Sequence, residues 1–528
     1  MGARRTQWGP TLLAVGASLV ALAVATSVVY DGFHPTVDHV VYEAQARALL
    51  DGSLTLPGDD PGGPLVFTAV RGDGLVPKYL PGTAVLGALS QATVGTFGLA
   101  SVAALVLLVV AVGGIARRVG LGPWGAALAA GAVGLSPMVL ALDSRLLSYV
   151  PGVALAVTSV WLVLVATDEG RPRLLVLAGA VLGATLFFRQ LETVVWGVVL
   201  VSWLAVSHRS PGPRASAPEP VAATARASGA AGDASDGAPI GSPAPDAGGV
   251  TAGWGAARRA PLAFVGGAVP AVLAVVATAW ALTGSPLRPP FVFVSPDDGP
   301  GFGLRRALDT DPFMGFDLLG GLRAALVGAG LVLPWTAAGV ALAVGAGVAL
   351  WRFWRRPPVV LLAALGAAIP LAYVAQWSHK NALRGGHYDA VGPFYLLWAL
   401  PPLAVLGVLG LRSLRSRPLV GLVVAVALLA QVVVLWAPIE RQLRLGDAWA
   451  AFDEELSALE GPSLVLLESR QRGKPFDDVA AESGAVVAVP AEDPAAAFAA
   501  VERWPDRRTL VALTDLERIE GRVVSVPM

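Results

Sequence analysis

Apolar residues run along this chain in blocks of about 20, the length that carries a helix across a hydrocarbon core of roughly 30 Å. The blocks fall at about 11–30, 97–116, 124–142, 147–166, 173–188, 191–207, 261–283, 324–350, 359–377, 393–411 and 418–437. Backbone inside a bilayer must satisfy its own hydrogen bonds, so these blocks predict helices. The pair 173–188 and 191–207 is short and reads equally as a re-entrant hairpin. The fold class expected is mainly α: a polytopic transmembrane helical bundle of about eleven spans. Amphipathic outer-loop helices and a small C-terminal α/β domain complete it.

Arginine marks one side of the bundle. Arg4 and Arg5 precede the first block, and Arg117 and Arg118 follow the second. Arg171 and Arg173, Arg352, Arg355 and Arg356, and Arg412, Arg415 and Arg417 fall on the same side. The alternate loops hold Asp31, Asp38, Glu43, Asp143, Glu192, Asp297, Asp298 and Asp389. Cytoplasmic loops carry the basic excess, so the N-terminus is expected in the cytoplasm and the C-terminus outside, in a plasma (inner) membrane. The first block, longer than a signal-peptide core, is read as an uncleaved anchor.

Two segments break the apolar pattern. Residues 208–258 are rich in Ala, Pro, Gly and Ser, as in Arg214-Ala-Ser-Ala-Pro-Glu-Pro, and can bury no core. They are read as a disordered cytoplasmic linker between membrane regions 1–207 and 259–438. Residues 439–528 alternate short apolar runs with helical ones: Ser463–Leu467, Ala485–Val489, Thr509–Leu513 and Arg522–Val526 read as strands, and Phe476–Glu482 and Asp493–Trp504 as helices. This pattern predicts a small extracytoplasmic α/β domain with a structural or docking role.

Composition agrees with the membrane reading. Of the 528 residues, 55% are hydrophobic and 14% charged, against roughly 25% charged in soluble domains. The 38 basic and 38 acidic residues cancel, which gives no footprint for nucleic acid. The absence of cysteine excludes disulfides, thiolate metal sites and cysteine nucleophiles. Lysine occurs three times only, as Lys78, Lys380 and Lys474.

The loop at 31–96 is richest in candidate chemistry. From Val37 to Leu50 the spacing predicts an amphipathic helix, with Asp38, Tyr42 and Gln45 beside an apolar stripe and Gly52 ending it. Asp38 also suits a plain N-cap. Lys78-Tyr79 then sits in an irregular turn between Pro77 and Pro81. A compact ammonium there suits a phosphate, and it equally suits a snorkelling interfacial lysine. His34 and His39 are spaced i, i+5, which fits no two-histidine metal site on a helix. Arg189 and Glu192 read as an i, i+3 pair, Asp143 and Arg145 as a helix-turn charge pair, and Asp297-Asp298 as a turn.

The order of these motifs resembles the GT-C class of membrane glycosyltransferases, the protein O-mannosyltransferase and aminoarabinose transferase type. The elements that carry the resemblance are Asp38-His-Val-Val-Tyr42-Glu-Ala-Gln-Ala46, Asp51-Gly52-Ser53 and Lys78-Tyr79-Leu80-Pro81-Gly82. Leu135-Ser136-Pro137, Leu147–Pro151, Phe188-Arg189-Gln-Leu-Glu192 and Arg384-Gly-Gly-His387-Tyr388-Asp389 are similar too. His39 stands where the family has a second acid, and Leu80 where it has a first proline.

The resemblance implies transfer of a sugar from a polyprenyl phosphate to the hydroxyl of an extracytoplasmic glycan, lipid or protein. It makes Asp38 the general base and Lys78 a contact of the donor phosphate. Arg384 and Arg189 are further phosphate candidates, and Tyr42, Tyr79, His387 and Tyr388 are pocket candidates. No cofactor is expected; a divalent metal is compatible with such chemistry but finds no support in the residue spacing. A transporter and a non-catalytic envelope-assembly protein are the alternative readings. The concentration of polar groups at the outer ends of the spans, rather than at mid-membrane, stands against transport.

Overall fold

This computed structural model describes residues 8–30, 36, 38–57, 67–207, 252–306, 313–376, 391–457, 463–467, 486–490, 508–515 and 520–525. Helix α1 (Gly9–Val24) ends in one π-helical turn (Ala25–Val29). The first loop then folds into α2 (Asp38–Leu50), strands β1 (Leu56–Pro57), β2 (Thr68–Arg71) and β3 (Gly74–Pro77), and α3 (Gly82–Val94). Next come α4 (Gly98–Arg118), α5 (Pro123–Gly134), α6 (Pro137–Asp143), α7 (Tyr149–Glu169), α8 (Pro172–Ala184) and α9 (Gln190–Ser207).

The second half begins with α10 (Ala252–Thr283), α11 (Pro290–Val294) and the hairpin of β4 (Gly303–Arg305) and β5 (Met314–Phe316). Then follow α12 (Leu318–Val332), α13 (Gly339–Phe353) and α14 (Pro357–Tyr373). A 3₁₀ segment (Phe394–Ala399) leads into α15 (Leu400–Ser413), and α16 (Arg417–Ser457) closes the helical part. Proline opens α5, α6, α8, α11, α14 and α15 within their first two positions, where its missing amide costs nothing.

Seven of the described helices are long and apolar enough to cross a membrane, or eight if α5 and α6 form one bent span. Helices α8 (with its 3₁₀ extension to Phe187), α12, α13 and α14 are shorter apolar helices. Two spans expected as single helices are broken. The block 124–142 bends by 55° between α5 and α6. The block 324–350 is two helices, α12 and α13, with Ala338 in the left-handed region between them. In both cases a proline, Pro137 or Pro334, withholds an amide and disfavours helix in the residue before it. The two breaks meet: Ser136 Oγ donates to the Trp335 carbonyl at 2.6 Å, and Met138 N to the same oxygen at 3.2 Å. The freed backbone is thereby satisfied within protein rather than facing lipid.

Close helix contacts rest on glycine, as expected where lipid removes the hydrophobic drive between helices. A Cβ on Gly410 of α15 would lie 1.7 Å from the Gly345 carbonyl oxygen of α13.

The ends of the bundle differ in chemistry. At one end Arg117 donates to Thr11, Arg118 to Asp168 and Glu169, and Arg352 to the Ser413 carbonyl. These contacts join the ends of α1, α4, α7, α13 and α15 that carry the arginine pattern. At the other end the first loop folds over the bundle. Its strands form an antiparallel sheet in the order β1-β3-β2, with Leu56 opposite Leu75 and Thr68 opposite Pro77. Arg71 at the hairpin tip donates to the Ala281 and Leu282 carbonyls at 2.8 and 2.6 Å. A guanidinium there complements the negative end of the α10 dipole.

Helix α2 forms over the predicted residues, and its polar positions are buried as well as its apolar stripe. His39, Glu43 and Gln45 are buried along with Val40, Val41, Tyr42, Ala46 and Ala48. It is wedged between α3 and the small sheet, so its polar residues face protein on several sides. His39 donates from Nδ1 to the Thr36 carbonyl at 2.6 Å.

After residue 440 the chain does not leave its helix; α16 continues through Ser457. Strands β6 (Ser463–Leu467), β7 (Val486–Pro490), β8 (Arg508–Asp515) and β9 (Glu520–Ser525) then fall where the apolar runs place them. They form one sheet in the order β7-β6-β8-β9, parallel except for the β8–β9 pair. The helices expected between them, and most of the 208–258 linker, lie outside the described residues.

Candidate functional site

Asp38 and Tyr42 lie one helical turn apart on α2, and so on one face. The turn between β3 and α3 brings Tyr79 over them. Tyr79 donates its phenolic hydrogen to Asp38 Oδ1, and its ring packs on Tyr42 with centroids 4.8 Å apart. Gln45 Nε2 holds the turn from α2 through the Tyr79 carbonyl at 3.2 Å. The second carboxylate oxygen of Asp38 makes no hydrogen bond among the described residues, and Asp38 is partly exposed. Burial pushes both phenols up, and the nearby Asp38 charge pushes them further. Tyr42 and Tyr79 therefore stay neutral hydrogen-bond donors at physiological pH.

Close packing sets this group against a second one. A Cβ on Gly82 would stand 2.7 Å from the Phe187 carbonyl oxygen, so only glycine lets the Lys78–Gly82 turn approach the junction of α8 and α9 this closely. That junction carries Arg189. Its Nε and Nη2 donate to Glu192 Oε1 at 2.9 and 2.6 Å, and Nη2 also to the Tyr373 hydroxyl at 3.0 Å. Tyr373 in turn donates to Glu192 Oε1 at 2.5 Å. The guanidinium lies over the rings of Tyr149 and Tyr395, at 4.4 and 5.4 Å from their centroids. Nη1 of Arg189 makes no hydrogen bond among the described residues. The Asp38 and Arg189 charges both act on Tyr42, from opposite directions in sign. The two groups lie within electrostatic reach of one phenol, Tyr42.

Lys78 is placed differently from its neighbour Tyr79. It is buried and ion-paired with Asp298, whose Oδ2 lies 2.8 Å from Nζ. Arg384, His387, Tyr388 and the second outer lysine, Lys380, lie outside the described residues. Asp143 and Arg145 do not pair among the described residues: Arg145 reaches the Tyr30 carbonyl at 2.9 Å, and Asp143 is buried with Oδ2 unpartnered. Among the described residues no three His, Asp or Glu side chains gather as a metal site.

Five tyrosines, Tyr42, Tyr79, Tyr149, Tyr373 and Tyr395, meet here out of seven in the chain. The sequence reading picked out Tyr42 and Tyr79 but not the other three. Scarcity, the signal that drew attention to the lysines, marks them as well.

No protein-family profile matches the sequence, and no curated protein matches it. Solved structures do. ArnT from Cupriavidus metallidurans bound to undecaprenyl phosphate superposes with a TM-score of 0.52 at 14% identity, covering 96% of this chain and 93% of that one. The chain has a GT-C fold. Apo ArnT matches equally well over the same shares. The archaeal oligosaccharyltransferase AglB from Archaeoglobus fulgidus, in complex with an inhibitory peptide and a dolichol-phosphate, overlaps at a TM-score of 0.45 and 11% identity, over 95% of this chain and 69% of that one. Within the GT-C fold of this chain, the Asp38 group is built on the first loop, and the Arg189 group on the helix ends beneath it.

Proposed function

We propose that this chain is a membrane glycosyltransferase that moves a sugar from a polyprenyl-phosphate donor to an extracytoplasmic acceptor hydroxyl. The observation that carries the reading is the juxtaposition of a half-free carboxylate, Asp38, with a guanidinium, Arg189, that keeps one amine unbonded. Both lie at the end of the bundle away from the arginine-rich loops. In ArnT, which shares the fold, the bound ligand is undecaprenyl phosphate.

The reaction needs two services. As the acceptor oxygen attacks the anomeric carbon, its proton must go to a base, a service worth roughly 10²- to 10⁴-fold. Asp38 is that base in this reading, accepting the proton on the oxygen not held by Tyr79. The anomeric carbon–phosphate oxygen bond breaks as the new bond forms, and charge develops on the departing lipid phosphate. Fixed positive groups stabilise it. Arg189 serves through Nη1, and Lys78 and Arg384 are the further cations. Tyr42 and Tyr79 line the pocket in this reading, and His387 and Tyr388, outside the described residues, are its further candidates.

The N-terminus is cytoplasmic in this reading, the 208–258 segment is a cytoplasmic linker, and the 439–528 segment is an extracytoplasmic docking domain. The test uses the full chain in nanodiscs with radiolabelled sugars on undecaprenyl phosphate and cell-envelope extracts as acceptor. Sugar leaving the lipid and appearing on acceptor supports the reading. A protein that binds none of the lipid donors, and instead shows counterflow in proteoliposomes, removes it.

A further inference from the structure

Lys78 is an ammonium with almost no access to water. Its side chain is 4% exposed, and that of its partner Asp298 9%. The pair joins the first loop to the segment after α11, 220 positions away. The rings of Phe67 and Phe291 flank the ammonium, each centroid 4.6 Å from Nζ. One face of the cation thus meets a carboxylate and two meet aromatic faces, which attract it through their quadrupoles.

The surroundings of the pair are themselves constrained. Phe67 has φ of 63°, a left-handed conformation that a bulky residue rarely adopts. In that conformation its carbonyl accepts the Lys78 amide at 2.9 Å, while its ring covers the Lys78 ammonium. Asp298 is fixed by a turn in which its amide donates to the Ser295 carbonyl at 3.1 Å. Its neighbour Asp297 is engaged elsewhere, with Arg306 at 2.8 Å. Asp298, the next residue, is the one that pairs with Lys78.

We infer that Asp298 is a positioning residue for Lys78: it holds the ammonium aimed within the first loop, and keeps hold of it while the donor phosphate takes the place of an aromatic contact. An ammonium out of reach of water is costly to bury without a counter-ion. With Asp298 and two rings around it, the cation is held ready, and a phosphate need only replace one weak aromatic contact. The inference rests on the glycosyl-transfer reading, in which Lys78 meets the lipid phosphate.

The experiment measures undecaprenyl phosphate binding and donor kinetics for the full chain in nanodiscs, comparing Asp298→Asn, Lys78→Met and the double variant. Asp298→Asn is expected to raise the donor KM and the lipid Kd about tenfold or more, with kcat changed far less, since a hydrogen bond to a charged group is worth about 1.5–3 kcal/mol. The double variant is expected to bind the lipid no worse than Lys78→Met alone, because the role assigned to Asp298 in donor binding runs through Lys78. Unchanged lipid affinity in Asp298→Asn with a lowered Tm would make the pair a mere tether and overturn the inference. Multiplicative losses in the double variant would overturn it too. If the unmodified protein neither binds the lipid nor transfers sugar, the functional reading itself fails and takes this inference with it. If Asp298→Asn does not fold, Asp298→Glu, which keeps the charge, must retain donor affinity within a few-fold of the unmodified protein while Lys78→Met does not. Equal losses in both overturn the inference.

Discussion

The phenol of Tyr79 donates to Oδ1 of Asp38, a contact between residues 41 positions apart. It leaves the carboxylate half engaged. One oxygen is fixed by a neutral donor that burial keeps protonated, and the other makes no hydrogen bond among the described residues. A base arranged this way is oriented before any substrate arrives.

Asp38→Asn removes the base and keeps a group that accepts from Tyr79 through its amide oxygen. Sugar transfer should fall by roughly 10²- to 10⁴-fold. Insertion, Tm and binding of undecaprenyl phosphate should stay near those of the unmodified protein. Full transfer activity in this variant would take Asp38 out of the mechanism.

Tyr79→Phe is a finer probe. The ring remains, so its packing on Tyr42 at 4.8 Å is kept, and the hydrogen bond to Asp38 is lost. A hydrogen bond to a charged group contributes about 1.5–3 kcal/mol. If it is spent on orienting the base, kcat should drop roughly 10- to 100-fold with donor KM little changed. A change confined to KM would instead place Tyr79 on the substrate.

How much of this was legible beforehand differs by feature. Apolar runs located the helices, because bilayer thickness imposes their length. Arginine placement sorted the helix ends into two groups, and contacts such as Arg117–Thr11 and Arg118–Glu169 gather one group at one end of the bundle. The breaks at Pro137 and Pro334 were missed because hydropathy passes smoothly through a proline that the backbone does not. Asp38, Tyr42 and Tyr79 share one short loop, so spacing could suggest their association. The i, i+3 pair of Arg189 and Glu192 was readable locally, but the distant partners were not: Asp298 of Lys78 and Tyr373 of Arg189 lie 220 and 184 positions away. Tertiary packing alone brings them in, and it also buries polar positions of the amphipathic helix α2.

Glu192→Gln tests the cradle of Arg189. Three donors converge on Glu192 Oε1: two guanidinium nitrogens and the Tyr373 hydroxyl. Glu192 is 2% exposed and Arg189 15%. Removing one partner of a buried ion pair leaves the other uncompensated, at a cost of about 3–5 kcal/mol. A thermal melt in detergent should show a clear fall in Tm for Glu192→Gln and a smaller one for Tyr373→Phe, which loses a single hydroxyl. Equal, small effects would mean that the cation–π contacts with Tyr149 and Tyr395 suffice to hold the guanidinium.

Gly82→Ala probes the joint between the two halves of the site. The added methyl would stand 2.7 Å from the Phe187 carbonyl oxygen and 2.8 Å from its Cβ, and the oxygen is backbone that cannot swing aside. The turn holding Tyr79 must therefore retreat from the junction that carries Arg189, by a fraction of an ångström to about 1 Å. Misplacement on that scale can cost roughly 10²-fold in rate, while overpacking of this kind costs about 1–3 kcal/mol of stability. Activity should thus fall far more than a modest drop in Tm accounts for. Lipid binding through Arg189 should largely survive, since its own contacts with Glu192 and Tyr373 are untouched. Loss of Tm and activity in parallel would show that the close approach at Gly82 serves folding, and that the Asp38 and Arg189 groups tolerate a looser fit.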